Sequence, residues 1–246
     1  MSVDKLVDST QLDADLTSVA NAIRTKGGTS ASLAFPADFV QAIGDIPSGG
    51  GNQELYDFLS GATSGAFKPD GLTRLRAGAF YRDTSITSMH FKDVTEIGNA
   101  AITSCNGVTV IVFEKPLTGY LYAKNQMCYG NGSQLTTIDL HSFMDNSQGF
   151  DFQNNNGLNL IILRSTTLVP LKNTNVIATN TCFKSGGTGG TIYIPKALYD
   201  HLGDGGSSDY KAATNWSAVD GYGTVTWAQI EGSQYENYYA DGTPIT

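Results

Sequence analysis

The sequence has few cysteines, few basic residues and no long apolar run. Its three cysteines, Cys105, Cys128 and Cys182, form no even set and no Cys-x-x-Cys pair, which argues against a disulfide framework or a zinc site. Lys and Arg number 15 against 23 Asp and Glu, and the net charge of −8 leaves no basic face for nucleic acid. No stretch approaches the ~18 apolar residues of a transmembrane helix. We therefore expect neither a nucleic-acid partner nor membrane insertion.

The usual signatures of export and catalysis are also missing. The first ten residues lack the apolar core of a secretory signal, so export by the general route is not expected. The histidines His90, His141 and His201 are too scattered for a metal-binding spacing. No G-x-S-x-G occurs, and the glycine-rich run 185–190 lacks the lysine of a phosphate loop. The sequence predicts no catalytic residue, no metal site and no cofactor.

What the chain does contain is a repeated pattern of short strands. In the unit from Asp93 to Phe113, the strand places Val108, Ile111 and Phe113 on one side. Such a unit has one apolar edge and needs neighbours above and below to bury it. The same spacing recurs in Ile86/Met89/Phe91, Leu135/Ile138/Leu140, Leu158/Ile161/Leu163 and the shorter Ile192/Ile194. Positions 89, 111, 138, 161 and 192 are therefore predicted to align as the centres of successive strands.

The repeated unit resembles the BspA-like leucine-rich repeats, whose pattern is V-T-x-I-G-x-x-A-F-x-x-C-x-x-L-x-x-I-x-I-P. The residues that fit it in order are Val94, Thr95, Ile97, Gly98, Ala101, Cys105, Val108, Ile111 and Phe113. Leu72 to Phe91 fits again, with Asp83 at the cysteine position. Tyr210 to Trp216 (YKAATNW) is similar to the end of such arrays, behind an inserted stretch from Gly203 to Ser208. The resemblance implies an α/β repeat solenoid of about five turns.

The pattern divides the chain into four parts, of which the first two are small. Residues 1–47 are predicted to form a helical N-terminal segment, with helices from about Gln11 to Thr25 and from Pro36 to Ile43. Residues 48–70 are predicted to be a linker that contains a short helix from Gln53 to Leu59.

The other two parts are the repeats, residues 71–195, and a C-terminal cap and tail, residues 196–246. The cap is needed because the last repeat has no neighbour, and Trp216 is expected to cover its exposed end. Beyond Gly232 the tail is expected to be extended. Three elements are predicted inside the cap: helices at Lys196–Leu202 and Asp209–Asn215, and a strand at Thr224–Trp227.

The N-terminal run has a resemblance of its own. It reads LVDSTQLDADLTSVANAIRTKGGTS and then FPADFVQAI, and over Val3 to Ile46 it resembles the leading segments of virion-associated proteins of tailed phages. The resemblance implies a tail-associated virion protein that is made in the host cytoplasm without a signal peptide. It also implies attachment to other virion subunits through residues 1–50.

If the strand centres point inward, the alternate residues form a ladder on the outward face. Several of its members are apolar, and an exposed apolar strip usually marks a contact surface. The predicted ligand- or partner-binding residues are His90, Val110, Val112, Thr137, Asp139, Leu160, Ile162 and Tyr193. Three explanations for the strip stay open: a symmetry mate in a homo-oligomer, the tyrosine-rich C-terminal tail, or a host ligand such as a bacterial surface glycan or protein.

These observations favour a non-enzymatic binding protein. The leading hypothesis is host adhesion and receptor binding through the repeat face, and the alternative is a structural virion subunit whose repeat face contacts other virion proteins. The one enzymatic interpretation is a glycan-cleaving tail enzyme with Glu114 and Asp139 as its carboxylate pair. Because solvated acids are common on a repeat face, no enzyme is expected.

Overall fold

The computed structural model describes residues 16–21, 65–98, 100–119, 128, 130–142, 152–171 and 173–246. The chain divides into two compact units, Met1–Gly50 and Gly51–Thr246. In the first unit, residues 16–21 are helical, inside the helix predicted from Gln11 to Thr25. The predicted helices from Pro36 to Ile43 and from Gln53 to Leu59 lie outside the described residues.

Among the described residues of the second unit, ten short strands make up two parallel sheets. In chain order they are β1 Gly65–Phe67, β2 Arg74–Leu75, β3 Ile86–Phe91, β4 Glu96–Ile97, β5 Val110–Phe113, β6 Thr118–Gly119, β7 Thr137–Leu140, β8 Leu160–Leu163, β9 Gly190–Ile194 and β10 Val225–Gln229. The large sheet has the order β1-β3-β5-β7-β8-β9-β10 and the small one β2-β4-β6. From β1 to β7 the chain therefore alternates between the two sheets.

Three short helices accompany the strands in the described part of the second unit. They are α1 Asn175–Ala178, α2 Lys196–Tyr199 and α3 Trp216–Asp220. No helix in the described ranges has the length and apolarity that crossing a membrane requires. The architecture is thus a mostly parallel sheet of seven strands with few short helices, an α/β-like arrangement.

The predicted strand centres lie side by side. Met89 pairs with Ile111, Ile111 with Ile138, Ile138 with Ile161, and Ile161 with Ile192. All five side chains are buried in one continuous apolar cluster. The predicted alignment is confirmed, and it exists because each strand hides its apolar edge only against the next one.

The large sheet extends past the five predicted strands at both ends. β10 confirms the strand predicted at Thr224–Trp227, and Trp227 continues the inward column next to Ile192. β1 falls in residues 48–70, which were expected to be a linker and a helix. Phe67 of β1 is buried, with its ring centroid 5.2 Å from that of Phe80. A three-residue strand is too short to show a period in the sequence.

Aromatic side chains close the C-terminal end of the sheet. The ring centroids of Tyr210, Trp216 and Trp227 lie 5.2 to 6.0 Å apart. The Trp216 Nε1 donates to the Val169 carbonyl at 2.7 Å, and the Tyr210 hydroxyl accepts from the Val169 amide at 3.0 Å. The buried indole and phenol therefore have partners for their polar atoms, as burial requires. Trp216 is buried beside Trp227, while the strand that pairs with the last predicted repeat strand is β10.

The cap helices differ from the prediction. Residues 209–215 form turns, so the helix predicted at Asp209–Asn215 is wrong, and α3 begins one residue later. The Asp209 carboxylate accepts from the Lys211 amide at 2.8 Å, a local bond that competes with a helix. Asn215 has φ +65°, which a right-handed helix cannot contain. α2 ends at Tyr199, three residues before the predicted end at Leu202.

Buried amide side chains tie neighbouring turns together just before the strands. The Asn131 Oδ1 accepts from the Cys105 amide, and the Asn155 Oδ1 accepts from the Asn131 amide, both at 2.8 Å. The Asn131 Nδ2 donates to the Ile102 carbonyl at 3.2 Å, and the Asn155 Nδ2 donates to the Cys128 carbonyl at 2.6 Å. Both asparagines are fully buried. This ladder satisfies backbone groups at turns that lack regular pairing.

Glycines next to the ladder allow the turns to pack closely. A Cβ on Gly107 would lie 2.6 Å from the Ile86 carbonyl oxygen, and a Cβ on Gly157 would lie 2.1 Å from that of Ser133. Neither distance is compatible with a side chain, because the neighbouring turn occupies that space. Only glycine therefore fits after Asn106 and after Asn156.

We expect Asn155→Ala to lower the free energy of unfolding by about 3 kcal/mol, because it removes buried hydrogen bonds to three backbone groups. Asn156→Ala is the matched control, since Asn156 is the exposed next residue. The control should change stability by less than about 0.5 kcal/mol. Chemical denaturation measures both values, and equal losses in the two variants would contradict a structural role for the ladder.

Candidate functional site

The structure arranges the outward-facing residues in two columns that run across the large sheet. The open column, whose members are all half-buried, is Ser88, Val110, Thr137, Leu160 and Thr191. The covered column is His90, Val112, Asp139, Ile162 and Tyr193. In the covered column only Tyr193 is not buried. The eight predicted binding residues are thus brought together, but four of them are inaccessible.

The cover is the C-terminal segment 233–246, here called the strap. The Ala240 amide donates to the Asp139 Oδ2 at 2.8 Å, and the Tyr235 ring packs on Tyr193 with centroids 4.8 Å apart. Of the three explanations for the apolar strip, the tail is the one that accounts for the covered column. Beyond Gly232 the chain is also not extended as predicted, because backbone hydrogen bonds such as Tyr239 N to Thr243 O fold it into turns.

The strap crosses the sheet in reverse chain order. It contacts β9 at Tyr193 first and then reaches Arg164, which directly follows β8. It goes on to Asp139 of β7 and His90 of β3. At its far end Asp241 accepts from Lys68, one residue beyond β1, with Nζ and Oδ2 2.8 Å apart. The strap therefore ties the last strands to the first.

Arg164 forms the first of two charged centres under the strap. Its Nε and Nη2 donate to the two carboxylate oxygens of Asp139, each at 2.7 Å. Its Nη1 and Nη2 also donate to the carbonyls of Tyr235 and Tyr238 at 2.9 and 3.0 Å, and its guanidinium carbon lies 4.8 Å from the Tyr239 ring centroid. Burial raises the pKa of the Asp139 carboxyl, and Arg164 opposes that shift. A bidentate pair of this kind holds a buried carboxylate and two strap carbonyls at once.

His90 forms the second centre. Its Nε2 lies 2.7 Å from the Glu114 Oε1, and its Nδ1 lies 3.0 Å from the Asp241 Oδ2. Burial by itself lowers the pKa of His90, but the hydrogen bonds to the two carboxylates outweigh it and raise the pKa above 6.5. Burial opposes ionisation of Asp241, yet His90 and Lys68 hold its pKa well below the usual 3.8. The Tyr239 ring closes the centre, with its centroid 5.0 Å from that of His90.

This geometry does not support the carboxylate pair considered for glycan cleavage. Asp139 is fully buried and is engaged by Arg164 and Ala240, so a substrate has no access to it beneath the strap. Glu114 is engaged by His90. Within the described part of the chain, no group of three or more His, Cys, Asp or Glu side chains is placed to hold a metal ion.

The strap also forms an accessible depression of about 240 Å³. Its lining is rich in tyrosine and comprises Gln234, Tyr235, Tyr238, Tyr239, Ala240 and Gly242. Tyr238 is 50 % exposed. The sequence had already pointed to the tyrosines of the tail as a possible cover of the sheet face. Arg164 and Asp241, which position them, were missed, because nothing in the sequence predicts pairing across 71 to 151 residues.

The fold and the site define a class of protein: a parallel-stranded α/β-like domain whose outward face is closed by a C-terminal strap. No protein-family model matches this sequence, and no curated protein or solved structure shows significant similarity to it.

We expect attachment of the strap to weaken as the pH rises through the raised pKa of His90. A pKa raised on folding gives stability that is fully present below the unfolded value of about 6.5 and is lost as the folded-state pKa is passed. The loss of stability on His90→Gln should therefore be larger at about pH 6 than at about pH 9. Denaturation of both proteins at each pH measures it.

The matched control is His201→Gln, because His201 is exposed and pairs with Asp204 outside the strap. Its effect on stability should be small at both pH values. A loss on His90→Gln that is the same at both pH values would contradict the assignment of the protonated His90 to the strap contact.

Proposed function

We propose that this chain is a non-enzymatic, tail-associated protein of a bacteriophage virion that adheres to the host through the strap-covered sheet face. Its receptor is a bacterial surface glycan or protein. Residues 1–50 attach it to other virion subunits, and the phage-like leader from Val3 to Ile46 supports that part of the proposal. The protein is made in the host cytoplasm and acts in the virion.

The second part of the proposal is that the sheet is a leucine-rich-repeat solenoid of the BspA-like type. Several observations recur once per turn and support it. The strands pair in chain order and in register, and the amide ladder precedes them. One further feature is a left-handed backbone residue in the turn before each of five strands, with φ between 52° and 67°; it is found at Arg82, Ser104, Gly130, Asn154 and Asn180. Three of these residues directly precede the ladder residues Cys105, Asn131 and Asn155.

The observation that carries the adhesive role is the tyrosine-lined depression. Tyrosine presents a large amphipathic surface at a low cost in conformational entropy, which suits recognition of glycans and proteins. Tyr235 and Tyr239 are held by Tyr193 and by the charged centres, so the depression is formed before any ligand arrives. A preformed site loses less entropy on binding than a mobile one.

A structural virion subunit is the alternative, and the open column is the observation that favours it. Val110 and Leu160 stay half-buried beside the strap, as residues at the edge of a protein contact would. In that case the same face contacts other virion proteins or a second copy in a homo-oligomer. Light scattering together with hydroxyl-radical labelling tests the second copy, because a monomer whose Val110 and Leu160 are labelled excludes it.

We expect Tyr238→Ala to weaken adhesion by about tenfold, because an exposed aromatic anchor of the depression is removed. Tyr81→Ala is the matched control, since Tyr81 is 52 % exposed and lies outside the strap. Binding is measured on a panel of intact bacteria and on an array of bacterial glycans, with denaturation to show that both variants are folded. Failure of the unmodified protein to bind any member, or an equal loss in the two variants, would count against adhesion.

A further inference from the structure

A second cavity lies away from the strap, at the amino-terminal ends of β8 and β9. It is a groove of about 700 Å³. The turn before β8 contributes Asn154 and Asn156, and the turn before β9 contributes Asn180, Lys184 and Thr188. Nothing in the proposed adhesive role uses this groove.

The walls of the groove are held in place by hydrogen bonds. The Asn180 Nδ2 donates to the Asn154 Oδ1 at 2.5 Å, which joins the two turns. The glycine-rich loop that forms the other wall is closed by Gly187 N to the Lys184 carbonyl at 2.8 Å and by Gly189 N to the Cys182 carbonyl at 3.0 Å. The groove is therefore preformed, which lowers the entropy lost on binding.

The groove has a local charge opposite to that of the protein. Lys184 is exposed, and it makes no ion pair with any described residue, whereas Lys68 and Lys196 are both paired with aspartates. None of the nine lining residues is acidic. In a chain of net charge −8, this is a place whose lining offers a negatively charged ligand a lysine and no carboxylate.

The lining also restricts the chemistry of the ligand. Three asparagine side chains and a threonine hydroxyl offer donors and acceptors side by side, which matches the neighbouring hydroxyls of a sugar ring. The lining contains no aromatic residue on which a nucleobase would stack. We propose that this groove binds an acidic saccharide, with its carboxylate on Lys184 and its hydroxyls on Asn154, Asn180 and Thr188.

Calorimetry on the full chain tests the proposal with three acidic saccharides: oligogalacturonate, oligomers of N-acetylneuraminic acid and hyaluronan oligosaccharide. The methyl ester of each is the neutral reference. At least one acid should bind, and its ester should bind about tenfold more weakly because the charge-assisted bond is lost. Lys184→Gln should lower the affinity for the acidic saccharide to that for its ester. Lys211→Gln, the control at another exposed lysine, should change neither the affinity for the acid nor that for the ester.

Asn180→Gly separates the polar contribution from the charge. Asn180 has φ +52°, which glycine adopts without strain, so the variant removes the amide and keeps the turn. This variant should lower the affinity for the acid and the affinity for the ester by the same factor. Tyr238→Ala should leave both unchanged, so this proposal and the adhesive role of the strap fail separately.

Several results would overturn the proposal. One is that none of the three acidic saccharides binds the unmodified protein. Another is that Lys184→Gln binds as well as the unmodified protein, or that Lys211→Gln loses as much. Competition by inorganic phosphate at the same concentration as the saccharide would reduce the groove to a simple anion site and would also overturn it.

Discussion

The whole structure depends on one constraint: a strand of four to six residues with one apolar edge cannot bury that edge alone. Parallel pairing in register solves it, because Ile111 then lies between Met89 and Ile138, and every further strand repeats the arrangement. The connections only have to return the chain to the next position. They can therefore differ in length, which explains why successive strand centres lie 22, 27, 23 and 31 residues apart.

The same regularity creates the outward face, and two charged centres hold its cover in place together with aromatic packing. Arg164 and Asp139 form an ion pair on the sheet, and the strap buries this pair and supplies its remaining hydrogen-bond partners. At the other end of the strap, His90 of the sheet pairs with Asp241 of the strap. Because the strap contacts β9 and also reaches Lys68 beyond β1, it restrains the stack lengthwise. The tyrosine depression that we propose for adhesion is therefore a property of the whole sheet.

Sequence reasoning predicted what repeats locally and missed what is paired at long range. The inward positions from Met89 to Ile192 were predictable because each copy carries the same spacing. The helix at Asp209–Asn215 was wrong because a side-chain bond at Asp209 and the left-handed Asn215 override composition. The outward residues lie where the spacing predicted them, but the sequence left open whether the C-terminal tail covers them. Arg164 looks like any basic residue after a strand until the strap carbonyls are seen to converge on it.

The most direct measurement is the distance between spin labels at Ser88 of β3 and Thr226 of β10, which pairs with the last residue of the open column, Thr191. The half-exposed Cys182 is replaced by serine. Five pairing steps, from Ser88 through Val110, Thr137, Leu160 and Thr191 to Thr226, separate the two residues. At about 4.8 Å a step, the account predicts one narrow distribution with the backbones about 24 Å apart. A broad distribution, or one centred at more than twice that distance, would contradict the in-register stack.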